Sequence, residues 1–217
     1  METRTFEKMN ITTSLLGFGA MRFPLTSEGA IDEEKAEEMM DLAIKAGVNY
    51  LDTAYPYHGG TSEAFVGKIL RKYPRKSFFL ATKLPCWLVS SLSDAKRIFN
   101  EQLERLGVEY VDFYLMHSID AKMYDKMVGL GVETYLQELK KEGKIRHIGF
   151  SFHGIYEDFE HIITSQTWDF CQIQYNYLDT EEQAGTKGYL LAEKMEIPVI
   201  VMEPIKGGSL ASLPPDL

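Results

Sequence analysis

Apolar residues recur at helical spacing in several stretches of the chain. The clearest stretch begins at Asp32, which can cap a helix, and ends at Gly47. Its apolar positions lie three and four residues apart, and two glutamates follow the cap at the positive end of the helix dipole. The same pattern predicts further helices over residues 62–72, 93–107, 131–143, 155–165 and 181–195.

Short apolar runs separate these helices and predict strands. Most of the runs are apolar at nearly every position, which is typical of strands buried on both faces of a parallel sheet. No low-complexity linker divides them, so we expect a single domain over residues 1–217. The predicted strands are residues 15–20, 48–52, 77–83, 111–117, 146–151, 170–175 and 199–203.

The alternation of strands and helices predicts an α/β fold, and a (β/α)8 barrel of the TIM type fits best. Such a barrel closes with eight strands, so a chain ending at Leu217 is expected to be a barrel truncated after its seventh strand. The alternative is a doubly wound open sheet. That fold usually carries a GxGxxG turn after its first strand, and residues 17–22 (GFGAMR) do not match it.

Composition and charge restrict the classes of molecule that the protein is expected to bind and the location in which it is expected to work. The 23 basic and 32 acidic side chains give a net charge of −9, which argues against nucleic acid and anionic membrane surfaces as partners. No apolar run reaches the roughly 18 residues of a membrane helix, and the first residues lack a signal-peptide pattern. Cys86 and Cys171 form no CxxC pair. These features predict a reduced, cytoplasmic protein with its oligomeric state open.

Polar residues end the successive apolar strands, and in a barrel these ends form one rim. Taken singly, each has an ordinary structural explanation: a turn cap for Asp52, a rim lysine for Lys83, a half-buried histidine for His117. Together they require several coincidences at one rim, which favours a functional site. The strand-end residues are Asp52, Lys83, His117, Ser151, Gln174 and Glu203.

Three of these residues, with Tyr57 from the loop after Asp52, make chemical sense as a proton-transfer site. A tyrosine hydroxyl has a pKa near 10, and a neighbouring ammonium on Lys83 is expected to lower that pKa by favouring the phenolate. Asp52 would hold the lysine, and His117 would orient a carbonyl oxygen. Such a site lacks a hydride donor, which implies a nicotinamide cofactor.

The chain resembles the aldo-keto reductase superfamily over nearly its whole length. The resemblance implies a (β/α)8 barrel that reduces aldehydes and ketones with NAD(P)H, acting on a small-molecule carbonyl substrate. It also identifies Asp52, Tyr57, Lys83 and His117 as the catalytic tetrad, with Tyr57 as the general acid. The motifs that carry it are LGFGAMRFP (16–24), DTAYPY (52–57), ATK (81–83), DFYLMH (112–117), KKEGKIRHIGFS (140–151), QIQYN (172–176) and VIVMEPIKGG (199–208).

The resemblance further implies a set of cofactor-binding residues, and it favours NADP(H) over NAD(H). His153 stands where the family's asparagine accompanies the serine that holds the nicotinamide amide. The chain also looks like a prokaryotic branch with a ferredoxin-like segment at its carboxyl end, so a 4Fe-4S cluster is expected only in a longer form. No metal site is expected in this chain. The implied cofactor residues are Gly19, Ala20, Met21, Asp52, Ser151, His153, Gln174, Met202 and Glu203.

Two other functions remain open from the sequence. One is a non-catalytic, cofactor-sensing regulatory protein on the same scaffold. The other is a metal-dependent barrel enzyme, for which Asp52, His117 and Glu203 would be the ligands. Lys83 between them would repel a cation, which argues against that second function.

Overall fold

The computed structural model describes residues 1–212, in which strands and helices alternate. The strands are β1 (Thr3–Phe6), β2 (Ile11–Ser14), β3 (Phe18–Gly19), β4 (Tyr50–Asp52), β5 (Phe79–Leu84), β6 (Val111–Met116), β7 (Ile145–Phe152), β8 (Phe170–Gln174) and β9 (Val199–Met202). The helices are α1 (Glu33–Lys45), α2 (Ser62–Leu70), α3 (Leu92–Leu106), α4 (Ala121–Gly129), α5 (Val132–Lys141), α6 (Tyr156–Ser165) and α7 (Gly185–Lys194). The last five residues of the predicted domain, 213–217, lie outside this description.

The main sheet has seven parallel strands in the order β3-β4-β5-β6-β7-β8-β9. The sheet is curled, as the contact between the Gln172 side chain on β8 and Asp52 on β4, four strands away, shows. Within residues 1–212, β3 and β9 are the edges and do not pair with each other. This curled α/β half-barrel confirms the predicted TIM-type architecture, with seven of its eight strands.

The apolar core has two layers. The larger layer packs the helices against the outer face of the sheet. The smaller fills the concave side and consists of Tyr50, Ala81, Phe113, Leu115 and Phe170. Because successive strand residues point to opposite faces, the residue two positions after each inner residue also points inward. The hydrophobic pattern of the strands thus decides which polar residues stand above the inner layer.

Local signals explain most helix boundaries. Asp32 caps α1 by accepting a hydrogen bond from the Lys35 amide, as predicted. The cap of α3 is Ser91 rather than the predicted Ser93, because Ser91 forms a reciprocal capping box with Asp94. Gly107 ends the same helix in the left-handed conformation.

Three elements differ from the sequence-based expectation. The antiparallel hairpin of β1 and β2 was not among the predicted strands, since most of its residues are polar and no residue of β1 is buried. Helix α4 was not among the predicted helices, and Leu130 and Gly131 separate it from α5. Helix α7 begins four residues later than predicted, where the Thr180 carbonyl accepts from the Thr186 amide. No helix in the described part of the chain is both long and apolar enough to cross a membrane.

Candidate active site

Three inward-facing polar residues stand directly above the inner layer at the carboxyl ends of their strands. Asp52 follows Tyr50 by two positions, Lys83 follows Ala81, and His117 follows Leu115. Functional sites of parallel barrels lie at this end of the sheet. The structure therefore brings the predicted strand-end residues of β4, β5 and β6 to one place.

Lys83 is the centre of this cluster and is only 1% exposed. Its Nζ donates to Asp52 Oδ1 and to the Thr53 carbonyl oxygen at 2.9 Å. The same Nζ lies 3.4 Å from the Tyr57 hydroxyl. The Tyr57 ring in turn packs edge-on against the His117 ring, with 5.9 Å between centroids. The four residues of the predicted tetrad thus form a chain of contacts that runs from Asp52 through Lys83 and Tyr57 to His117.

Burial and neighbouring charges shift the pKa values of Lys83 and Tyr57 in this cluster. Burial works against the ammonium of Lys83, yet the carboxylate of Asp52 and the Tyr57 hydroxyl hold the pKa of Lys83 above its usual range. Burial also raises the pKa of Tyr57, and it does so by more than Lys83 lowers it. The expectation that the pKa of Tyr57 falls is therefore wrong for the protein without ligands. At neutral pH the residue is a protonated phenol, the form that can give up a proton.

His117 is a neutral imidazole at physiological pH. Burial, together with the nearby charges of Lys83 and His153, lowers the pKa of His117 to about 3. The ring lies 5.1 Å from the ring of Trp87, centroid to centroid. Within residues 1–212, its buried Nδ1 has no hydrogen-bond partner. A neutral imidazole can donate one hydrogen bond to a carbonyl oxygen without placing a second positive charge beside Lys83.

Gln172 is a site residue that the sequence analysis missed. Its Nε2 donates to Asp52 Oδ2 at 3.1 Å, so the aspartate is held by Lys83 on one oxygen and by Gln172 on the other. The signal was available, because Gln172 and Gln174 occupy alternate positions of β8 and both point inward after Phe170. Gln172 is 5% exposed and lines the cavity beside the cluster.

That cavity lies on the concave side of the sheet and has a volume of about 1810 Å³. It extends from the tetrad to the open side between β3 and β9, and it exceeds the roughly 300–1,000 Å³ of ordinary ligand pockets. A side chain at Gly19 would meet nothing within 4 Å, so the backbone of β3 is open to a ligand there. The predicted cofactor-binding residues that line the cavity are Gly19, Met21, Asp52, His153, Met202 and Glu203.

The remaining three predicted cofactor residues, Ala20, Ser151 and Gln174, are buried and do not line the cavity. The Ala20 carbonyl oxygen accepts a hydrogen bond from Ser62. Ser151 Oγ accepts from the Ser118 amide at 2.8 Å. Gln174 Nε2 donates to Asp179 at 3.1 Å, while its Oε1 is buried without a partner among the described residues. The cavity itself is large enough for a dinucleotide, and the polar side chains of Asp52, His153 and Gln172 line it.

The residues proposed above for a metal-dependent enzyme do not form a metal site in this structure. Across residues 1–212, no group of three or more His, Cys, Asp or Glu side chains is arranged to hold a metal ion. Asp52 instead pairs with Lys83 and Gln172. Cys86 and Cys171 are each free and buried.

Comparison with known proteins gives consistent matches. A family model described as the aldo/keto reductase family matches residues 15–213. L-galactose dehydrogenase from Arabidopsis thaliana is 36% identical over 158 residues, covering 70% of this chain and 48% of that protein. The NADH-specific methylglyoxal reductase of Escherichia coli is 29% identical over 195 residues, covering 81% of this chain and 57% of the enzyme. The chain thus spans about half the length of these relatives.

A solved structure shows the same similarity. The holo form of an aldo-keto reductase from Bacillus halodurans superposes with a TM-score of 0.80 at 28% identity, covering 99% of this chain and 70% of the other. The family model spans most of the sequence, and the matched fold extends over nearly all of it. On these grounds the chain belongs to the aldo/keto reductase family.

Proposed function

We propose that this protein reduces an aldehyde or ketone to an alcohol with NAD(P)H, and that Tyr57 is the general acid. The observation that supports this function best is the Tyr57 hydroxyl, which lies 3.4 Å from the buried Lys83 ammonium in the wall of a large cavity. Proton transfer from a positioned side chain accelerates a reaction by roughly 10²–10⁴-fold.

The proposed reaction divides between a cofactor and the side chains. A bound nicotinamide supplies the hydride that forms the new C–H bond at the carbonyl carbon. The carbonyl oxygen takes the proton of the Tyr57 hydroxyl as its double bond to carbon becomes single. Lys83 stabilises the phenolate that remains, and Asp52 keeps the ammonium in place. Neutral His117 orients the substrate oxygen by hydrogen bonding.

The proposed cofactor site follows the cavity wall. Gly19 and Met21 would contact the cofactor from β3, and Met202 and Glu203 from the opposite edge. His153 lines the cavity near the tetrad, where it would face the nicotinamide. The remaining proposed contacts, which include the unsatisfied amide oxygen on β8, are Ala20, Asp52, Ser151 and Gln174.

The substrate class and the cofactor preference are inferred from relatives and from the family resemblance. Relatives named for L-galactose and methylglyoxal suggest a small, oxygen-rich carbonyl compound as substrate. A preference for NADP(H) stays a prediction, which the ratio of rates with NADPH and NADH would test. A cytoplasmic location likewise stays a prediction.

The decisive experiment is the variant Tyr57→Phe, which removes the hydroxyl and keeps the ring. We expect kcat for reduction of a simple aldehyde to fall by roughly 10²-fold or more while cofactor affinity, followed by fluorescence titration, is retained. Tyr177→Phe is the matched control, because Tyr177 is 58% exposed. A Tyr57→Phe enzyme with more than about a tenth of the wild-type kcat would refute the assignment. Wild-type protein that binds cofactor without turnover would favour a cofactor-sensing regulator.

A further inference from the structure

A buried carboxylate lies behind the tetrad, on the outer side of the sheet. Glu63 in α2 has no exposed surface and contacts none of the tetrad side chains directly. Its Oε1 accepts from Thr82 Oγ1 at 2.6 Å and from Gln102 Nε2 at 2.8 Å. Its Oε2 accepts from Arg105 Nη1 at 3.4 Å. Three side chains from two other elements thus converge on one carboxylate.

A carboxylate in this place is costly to maintain. Burial raises the pKa of Glu63, and the bonds from Thr82, Gln102 and Arg105 act against that rise. Well-packed apolar residues can often replace such a buried network without loss of stability. Stability alone is therefore a weak reason for this network, so its effect on the position of neighbouring groups becomes the question.

The network holds the strand that carries Lys83. Thr82 immediately precedes Lys83 in β5 and points outward, toward Glu63. Gln102 Nε2, which donates to Glu63, also lies 3.0 Å from the Lys83 carbonyl oxygen. The Gln102 Oε1 accepts from Tyr114 Oη at 2.6 Å, which ties the same amide to β6. The network therefore holds β5 from its outer face at Thr82 and at the Lys83 carbonyl oxygen, while the Lys83 side chain points inward to the tetrad.

We infer that Glu63 is a positioning residue for Lys83, and that it acts through Thr82 and Gln102 from behind the sheet. The inference rests on the proposed function, since it concerns how Lys83 is aimed at Tyr57. A displacement of about 1 Å in a reacting group can cost roughly 10²-fold in rate. The 3.4 Å between Lys83 Nζ and Tyr57 Oη is a distance that such a displacement would change materially.

The inference predicts a change that loss of stability would not produce. Tyr57 is faced by Lys83 from β5, by Asp52 and Tyr50 from β4, and by His117 after β6. Of these groups, Lys83 favours the charged phenolate, while Asp52 disfavours it. Moving Lys83 away therefore raises the pKa of Tyr57. The pH at which carbonyl reduction loses its general acid then moves upward.

Two variants loosen the network in different ways. Glu63→Gln keeps an acceptor for Thr82 but turns an amide N–H₂ toward the donors of Gln102 or Arg105. Thr82→Val removes the hydroxyl link at nearly constant volume. Thr82→Val also keeps the proposal testable if Glu63→Gln does not fold.

A matched control exists at the other end of the same strand. Asp112 is another buried carboxylate, 8% exposed, that pairs with an arginine and clamps β5. It accepts from Arg75 Nη2 at 2.6 Å and from the Leu80 amide at 2.9 Å. Asp112→Asn therefore loosens β5 away from Lys83. It separates a general effect on the strand from a local effect on the lysine.

The experiment measures kcat for aldehyde reduction against pH in the full chain, together with cofactor affinity and the thermal midpoint. We expect Glu63→Gln and Thr82→Val to lower kcat by about tenfold. We expect them to raise the apparent pKa of the alkaline limb by roughly half a unit, with cofactor affinity unchanged. Asp112→Asn is expected to lower the thermal midpoint and leave that pKa at the wild-type value.

An alkaline limb that stays at the wild-type pKa in both network variants would overturn the inference, whatever their kcat. An equal shift in Asp112→Asn would overturn it too, because the effect would then be general. Tyr57→Phe in the same series separates the proposed role of Glu63 from the proposed role of Tyr57 as general acid. If that variant is inactive while the network variants keep a normal profile, only the role of Glu63 falls. If it stays active, the proposed function falls as well.

Discussion

The pKa of His117 shows how strongly the protonation of a single residue depends on burial. The sequence places it at the end of an apolar strand, but its pKa of about 3 arises from burial first and from Lys83 and His153 second. Burial also determines the pKa of Tyr57, which is raised, whereas the neighbouring lysine alone predicts a lowered pKa. Residue type and strand-end position were readable from the sequence. The degree of burial was not, because loops that are distant in sequence enclose the site.

The depressed pKa of His117 predicts how stability depends on pH. The unfolded chain binds a proton at this residue below about pH 6.5, and the folded chain does so only near pH 3, so the free energy of unfolding falls as pH falls between those values. The slope from this one group approaches ~1.4 kcal/mol per pH unit. His117→Asn should therefore lose less stability than the wild type between pH 7 and pH 5.

Urea unfolding at the two pH values measures this difference. The comparison of wild type with variant removes the contributions of the other titrating groups, which both proteins share. Equal losses of unfolding free energy in the two proteins would show that His117 is already protonated, or already exposed, in the folded state.

Helices and strands were predicted correctly where their sequences show the apolar pattern of a buried element. Strands β5 and β6 are almost wholly buried, and their apolar runs indicated them directly. The hairpin of β1 and β2 was missed because most of its residues are polar and no residue of β1 is buried. For Gln172 the strand pattern was informative but incomplete: it places both Gln172 and Gln174 on the inner face of β8, and only the folded sheet shows that Gln172 is the one that meets Asp52.

Gly67 reveals a close contact between α2 and α3 that no pattern predicts. A Cβ added at this position would lie 2.4 Å from the Leu106 carbonyl oxygen and 2.7 Å from that of Arg105. Gly67→Ala should therefore destabilise the fold by about 1–3 kcal/mol through overpacking, despite the better helix propensity of alanine. Gly129→Ala is the control, since a Cβ there meets nothing within 4 Å. It should be neutral or stabilise by up to about 1 kcal/mol.

Chemical unfolding midpoints of the two alanine variants provide the measurement. If Gly67→Ala were as stable as Gly129→Ala, the ends of α2 and α3 would be able to separate at little cost. The packing behind β5 would then be looser than this structure indicates.

The whole fold was predictable because the order of elements, rather than any single motif, specifies it. Helix and strand signals alternate along the sequence, and parallel strands joined by helices have few alternatives. The sheet edges are a property of the assembled molecule. Within residues 1–212, the β9 edge does not pair with another strand, and Val201 on it is 39% exposed.

The outer edges of β3 and β9, which are unpaired within residues 1–212, predict that the polypeptide of residues 1–217 self-associates. Val201→Lys should shift the polypeptide toward the monomer, because a lysine on an edge strand opposes strand pairing. Leu190→Lys is the control, since Leu190 is 52% exposed but lies on α7. Light scattering after size exclusion gives the masses. A monomeric parent, or an equal effect of both lysines, would contradict this account.

The order of strands in the sheet also bears on how the chain can fold while it is being made. Neighbours in the sheet are neighbours in the sequence from β3 to β9. A ribosome extends a chain at about 5–20 residues per second, and successive strands from β4 onward begin about 30 residues apart, so each new strand emerges seconds after its partner. Within residues 1–212, each strand from β4 onward therefore pairs with a strand that has already been synthesised. The predicted tetrad residues emerge in the same order: Asp52 and Tyr57 first, then Lys83, and then His117 before β7 has been synthesised.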